Sequence, residues 1–244
     1  MTLSRVYLMT SVFWLFPRVA FGFGLSDHSQ MTWLAVAEYN RCARRPVSDE
    51  AVTYLVLQNL DEDVNLIKKW GKYSHYFNPE KPLHDLRRLD ASLRVVELLG
   101  GHATEEVGHA IHHLQDMASP PHVVPVRHSL FDGFETLAVE PTEMPELAAS
   151  DCADLATWAA SFRGDLLTLL DDTALETLHR VRTPWARQFW IENSGPLFGE
   201  YGTLGNSFGS NNAYARPVYV AFKAQQLRLA IEATKKALIW AYGL

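Results

Sequence analysis

The stretch ATEEVGHAIHHLQDMASPPHVVPVRHSLFD, residues 103–132, joins a helix signal to a concentration of imidazoles. Thr104 caps a helix predicted over 103–118, and Ser119-Pro120-Pro121 ends it. Six of the ten histidines fall between His102 and His128, where even spacing would put about one. His112 and Asp116 are four residues apart, so their side chains share a helix face and one cation can touch both. His109 lies on the same stripe. His122 follows on a stiff Pro-Pro turn. His128 and Asp132 then repeat the four-residue step, which predicts a second helix with its own ligand pair. Neutral imidazole together with carboxylate suits zinc.

Working outward, most of the chain reads as helix. SQMTWLAVAEYNRCA (29–43) has helical apolar spacing, and SDEAVTYLVLQNL (48–60) opens with a Ser cap and two acids. LHDLRRLDASLRVVELLG (83–100) repeats Leu and Val every three or four residues and stops at Gly100-Gly101. Two long helices are predicted near 150–171 and 217–241. Strand-like alternation with hairpin turns is nearly absent. The reading is a single all-α bundle domain, and 244 residues suffice to bury its core. KYSHYFNPEKP (72–82) and ENSGPLFGEYGTLGNSFGSNNAYARP (192–217) read as loops. The second is either functional or a plain surface insertion. Tyr73, Tyr76, Phe77, Phe198, Tyr201 and Phe208 are expected to be exposed on these loops.

The amino terminus has Arg5, an apolar run from Val6 to Phe16, Pro17, and small residues at Ala20 and Gly22. This layout predicts a signal peptide over 1–22, a mature domain over 23–244, and secretion or residence in a periplasm. The apolar run is short for a bilayer span. The net charge of −6 becomes more negative on processing, because Arg5 and Arg18 leave with no acid. An acidic surface argues against broad, backbone-driven nucleic-acid binding. Cys42 and Cys152 have no zinc-motif spacing, and spacing alone does not pair them.

HHLQDMASPPH followed by HSLFD resembles the metal-binding core of the bacterial zinc-dependent phospholipase C family, which shares its fold with single-strand nucleases. SHYFNPEKP is similar to that family's S-H-F-Y-D-P loop and places His75 at a ligand position. NLDEDVN resembles its acidic element, which implies Asp63 as both ligand and water-activating base, with Asp61 as close rival. AQQLRLAIEATKKALIWAYG resembles its closing helix. Cleavage after Gly22 leaves FGLSDH, which implies ligation by the free Phe23 amine and by His28. By resemblance three Zn²⁺ ions follow. Asp63, His75, His112 and Asp116 hold the first, and His122, His128 and Asp132 the second. Phe23 and His28 hold the third, with Asp116 as bridge. His102, His109 and His113 match no ligand position and are taken as supporting or surface residues, with support expected most for His109.

The resemblance implies hydrolysis of phospholipids to diacylglycerol and a phosphorylated headgroup. The partner is then a membrane or micelle surface, with no stable nucleic-acid partner, and no protein partner is inferred. The alternatives are a single-strand nuclease with the same metals and a non-catalytic metal-binding protein on the same scaffold. Ser26, Asp27 and Lys72 fall where headgroup choice is made in the family.

Overall fold

A computed structural model describes residues 24–64, 75–77, 106–124, 126, 132–140, 143, 151–193 and 198–244. The expected helix over 83–100, the signal peptide, Phe23, His102, Lys72, Tyr73 and His128 lie outside these residues. Among the described residues the chain is predominantly helical, as expected. The elements are α1 (Leu25–Cys42), α2 (Asp49–Val64), α3 (Val107–Asp116), α4 (Pro120–Val123), α5 (Gly133–Thr136), α6 (Cys152–Ser161), α7 (Leu166–Val181) and α8 (Arg216–Tyr242). A two-residue antiparallel pair, β1 (Trp190–Ile191) and β2 (Glu200–Tyr201), is the one sheet described. None of the described helices is long and apolar enough to cross a membrane.

The predicted helix near 150–171 is two helices. Asp165 stops it by capping α7 in a reciprocal box with Thr168: its carboxylate accepts from Thr168 N at 3.0 Å, while Asp165 N donates to Thr168 Oγ1. Asp151 caps α6 with a single bond, its carboxylate accepting from Ala153 N at 2.9 Å. The predicted helix over His128–Asp132 is also corrected at its visible end. Asp132 is an extended N-cap residue that accepts from Phe134 N and Glu135 N, so α5 begins after it.

α8 packs against α1, α3 and α7, and α3 packs on α2. Their buried faces form one core, including Met31, Tyr39, Ile111, Leu114, Leu166, Leu170, Ile231 and Leu238. Full burial of each such aliphatic side chain contributes ~2 kcal/mol. α2 and α3 approach closely at Gly108, where a Cβ would lie 2.6 Å from Gln58 Oε1 and 2.7 Å from the Leu55 carbonyl. Only glycine permits that contact, and it brings the polar residues of both helices face to face. Cys42 and Cys152 form a disulfide, with Cα atoms 5.3 Å apart, linking the end of α1 to the start of α6.

The described part of the 192–217 segment is built into the fold. Phe208 is buried among Phe134, Phe189, Trp190 and Tyr219. Tyr201 donates its hydroxyl proton to Asp132 Oδ2 at 2.6 Å, and Asn206 Oδ1 accepts from Gly133 N. A Cβ at Gly133 would meet the Phe208 backbone at 2.8 Å, so this loop sits directly on the α5 turn. Phe208 and Phe77, expected to be exposed, are core residues, whereas Tyr76, Phe198 and Tyr201 are partly exposed. The two buried rings are phenylalanines, which carry no polar group to satisfy in the interior, whereas Tyr76 and Tyr201 keep partial exposure.

Candidate metal centre

α1, α2 and α3 bring one polar cluster of imidazoles and carboxylates together in the interior. Asn59, Glu62 and Asp63 share a face near the end of α2, and His109, His112, His113 and Asp116 share the facing side of α3. His28 enters from the first turn of α1. His75 and His122 are tied to each other through backbone. Phe77 N donates to the His122 carbonyl at 3.0 Å, and His122 Nδ1 donates to the His75 carbonyl at 2.7 Å.

Asp116 is the hub. Its Oδ2 lies 2.7 Å from His75 Nδ1, 3.2 Å from His112 Nε2 and 3.9 Å from His122 Nδ1. Its Oδ1 faces His28 Nε2 at 3.4 Å, is buried, and accepts no hydrogen bond. His112 Nε2 is 3.0 Å from His75 Nδ1 and 3.9 Å from Asp63 Oδ1. Two triads result, His28/Asp63/His112 and His75/His112/Asp116, each with one ligand atom per residue within 4.8 Å of the others. The donor set is imidazole and carboxylate, buried, with an orphaned carboxylate oxygen. These residues fit a metal ion.

Electrostatics agree with a cation-seeking cradle. Burial alone would hold the His28 pKa down, but Asp116, Asp63 and the Gln115 hydrogen bond outweigh it and raise the value to about 9. His75 is likewise raised against burial by Asp116, Asp63 and Glu62. Burial lowers His112, and its neighbour His28 lowers it further. Burial would raise Asp116, yet His112, His122 and His28 hold it well below the ordinary carboxylate range. A buried anion ringed by imidazoles demands a positive charge, either protons or a metal.

Of the nine residues expected to bind metal, His28, Asp63, His75, His112, Asp116 and His122 converge. Phe23 and His128 lie outside the described residues. Between the rivals on α2, Asp63 faces His112, whereas Asp61 belongs to neither triad. Asp132 serves as the α5 cap and as acceptor for Tyr201. Glu135 reaches His122, with Oε1 3.2 Å from His122 Nε2. Sequence reasoning missed it by following the four-residue step. The available signal was D-x-x-E over 132–135, the signature of a helix start with an acid at its third position.

Glu62 was also missed. Its carboxylate is buried between His109 Nδ1 at 2.8 Å and His113 Nε2 at 3.2 Å. Both histidines are therefore buried against Glu62, beside the cluster. Burial drops the His113 pKa to about 4 despite Glu62. Tyr76 stacks on the His122 ring at 5.4 Å, with Phe198 edge-on to Tyr76 at 5.2 Å, giving the cluster an aromatic flank. Asp27, beside His28, pairs with buried Lys223 at 2.9 Å, and the same ammonium donates to the Glu135 and Leu137 carbonyls.

Comparison of the chain with protein-family models, curated proteins and solved structures finds no match in any of the three.

Proposed function

We propose that this chain is a zinc-dependent phosphodiesterase acting on phospholipids, releasing diacylglycerol and a phosphorylated headgroup, outside the cell or in a periplasm. The observation that carries the reading is the pair of triads that share His112, with Asp116 in one of them and facing His28 of the other. Asp63, His75, His112 and Asp116 hold one ion in this reading, and His28 with Asp116 and the Phe23 amine hold another. His122 and Glu135, together with His128, hold a third. Bound zinc supplies Lewis acidity and lowers the pKa of coordinated water. The chain supplies the rest. Asp63 accepts the proton of the attacking water, and the buried setting keeps bulk water from screening these charges.

The Cys42–Cys152 bridge supports an oxidising compartment. The Tyr76–Phe198 pair gives the nuclease alternative its one specific observation, because aromatic faces stack bases as well as they touch lipid. The test is to assay purified, metal-counted protein on phospholipid vesicles and on single-stranded DNA. Diacylglycerol release that stops with chelation supports the lipase. Digestion of DNA without lipid turnover replaces it with the nuclease. Metal uptake with neither activity leaves a binding protein.

A further inference from the structure

Between α1, α2, α3 and α8 lies a fully buried polar network whose every proton can be placed. Thr32 Oγ1 donates to the His28 carbonyl at 2.9 Å, and Thr234 Oγ1 donates to the Ala230 carbonyl at 2.8 Å. Each hydroxyl has spent its only proton on its own helix, so each can only accept from its other neighbours. The Gln115 amide nitrogen therefore points at both, 3.1 Å from Thr32 Oγ1 and 3.0 Å from Thr234 Oγ1. This turns Gln115 Oε1 the other way, where it accepts from His28 Nδ1 at 2.7 Å and from Asn59 Nδ2 at 2.9 Å. Asn59 Nδ2 also donates to Thr32 Oγ1 at 3.2 Å, so Asn59 Oδ1 faces His112 Nδ1, likewise at 3.2 Å.

We propose that Gln115, anchored by Thr32 and Thr234 and extended by Asn59, is the positioning residue that commits His28 and His112 to bind a divalent cation through Nε2. The polarity runs one way. Hydroxyl acceptors orient the amide, the amide carbonyls require N–H at both Nδ1 atoms, and the Nε2 atoms of both rings are turned toward Asp116. One side chain thus presets two ligands on two helices, and the register of α8 reaches the metal centre through Thr234. All four hydrogen-bonding positions of Gln115 are filled and the residue is fully buried, so its amide cannot flip without breaking four bonds at once. Partners that hold a ligand imidazole in this manner change metal affinity by about 10–100-fold when removed.

The proposal rests on the metal reading of the site, and the test separates the two. Histidine-labelled protein is loaded with cadmium-113, and the ring nitrogen coupled to the metal is identified by NMR. Cation affinity is measured in parallel by chelator competition for the parent, Gln115→Met, Thr234→Val and Thr234→Ser. The expected result is coupling at Nε2 of both rings with Nδ1 protonated. Gln115→Met weakens binding about 10–100-fold, Thr234→Val weakens it less, and Thr234→Ser, which restores the hydroxyl, stays within about twofold of the parent. Coupling at Nδ1 in either ring overturns the proposal, as does unchanged affinity in a folded Gln115→Met protein. If the chain takes up no divalent cation, the metal reading fails on its own. The network is then decided on metal-free protein, where protons on both Nδ1 atoms support it and a bare Nδ1 in either ring overturns it.

Discussion

His112 Nε2 lies 3.0 Å from His75 Nδ1, and both lie within 3.2 Å of Asp116 Oδ2. Since His112 Nδ1 donates to Asn59, its Nε2 presents a lone pair to this meeting point. These atoms sit so close only because a positive charge lies among them, a proton on His75 Nδ1 shared with Asp116 or a metal ion in its place. The same geometry explains why a segment between His102 and His128 is crowded with imidazoles. Some build the cradle, and His109 and His113 hold Glu62 beside it.

Asp63 stands at the edge of this meeting point, 3.9 Å from His112 Nε2. Asp63→Asn keeps one ligating oxygen and the shape of the side chain but removes the base. We expect phosphodiester turnover to fall by about 10²–10⁴-fold with the fold intact. Circular dichroism and initial rates on vesicles check this, and full activity would move the base to another residue.

Protons compete with the metal at His28. Its pKa of about 9 in the metal-free chain exceeds the ordinary 6.5, so stabilisation from pairing with Asp116 is complete below 6.5 and is lost as pH rises through 9. Metal must displace that proton, and His75, also raised, adds to the effect, so apparent cation affinity should climb at least about tenfold per pH unit from 7 and flatten near 9. Titration calorimetry in buffers of differing ionisation enthalpy reports the released proton directly.

Glu135 and Asp132 make opposite predictions. Asn caps helices as well as Asp, so Asp132→Asn should leave stability within about 1 kcal/mol and metal content unchanged. Glu135→Gln removes the carboxylate 3.2 Å from His122 Nε2 and should lower the metal count. Elemental analysis of the two variants compares them, and metal loss in Asp132→Asn alone would reverse the assignment.

The Cys42–Cys152 bridge closes 110 residues of chain, a span that contains α2 and α3. Cys42→Ser with Cys152→Ser should lower unfolding free energy by about 4 kcal/mol, mostly through a less constrained unfolded state. Urea denaturation of folded, oxidised protein against the double variant measures it.

Helix positions were legible from apolar spacing in α2 and α8, whereas α1 begins at Leu25 on an N-terminal Gly24 with no side-chain cap, so its first turn, which carries His28, lay upstream of the predicted start at 29. The split between α6 and α7 was not legible, because Asp165 acts as a cap only when the chain turns there, and periodicity runs through it. Within the site, the His112–Asp116 step and the Pro-Pro-His turn were readable because they are local. Glu135 was hidden because its pairing with His122 depends on how α5 folds back, held by Tyr201 and Asn206 from a loop far along the chain. Gln115 and Asn59 were invisible as amides in sequence, since their roles arise only where four helices meet.

The most direct measurement is anomalous X-ray diffraction from crystals of the purified protein, recorded on both sides of the zinc edge. Zinc peaks about 2.0–2.2 Å from His75, His112 and Asp116 ligand atoms are expected, with His28 Nε2 turned to the same cluster. A well-ordered His28/Asp116/His112 cluster that stays free of anomalous signal after incubation with zinc would contradict the account.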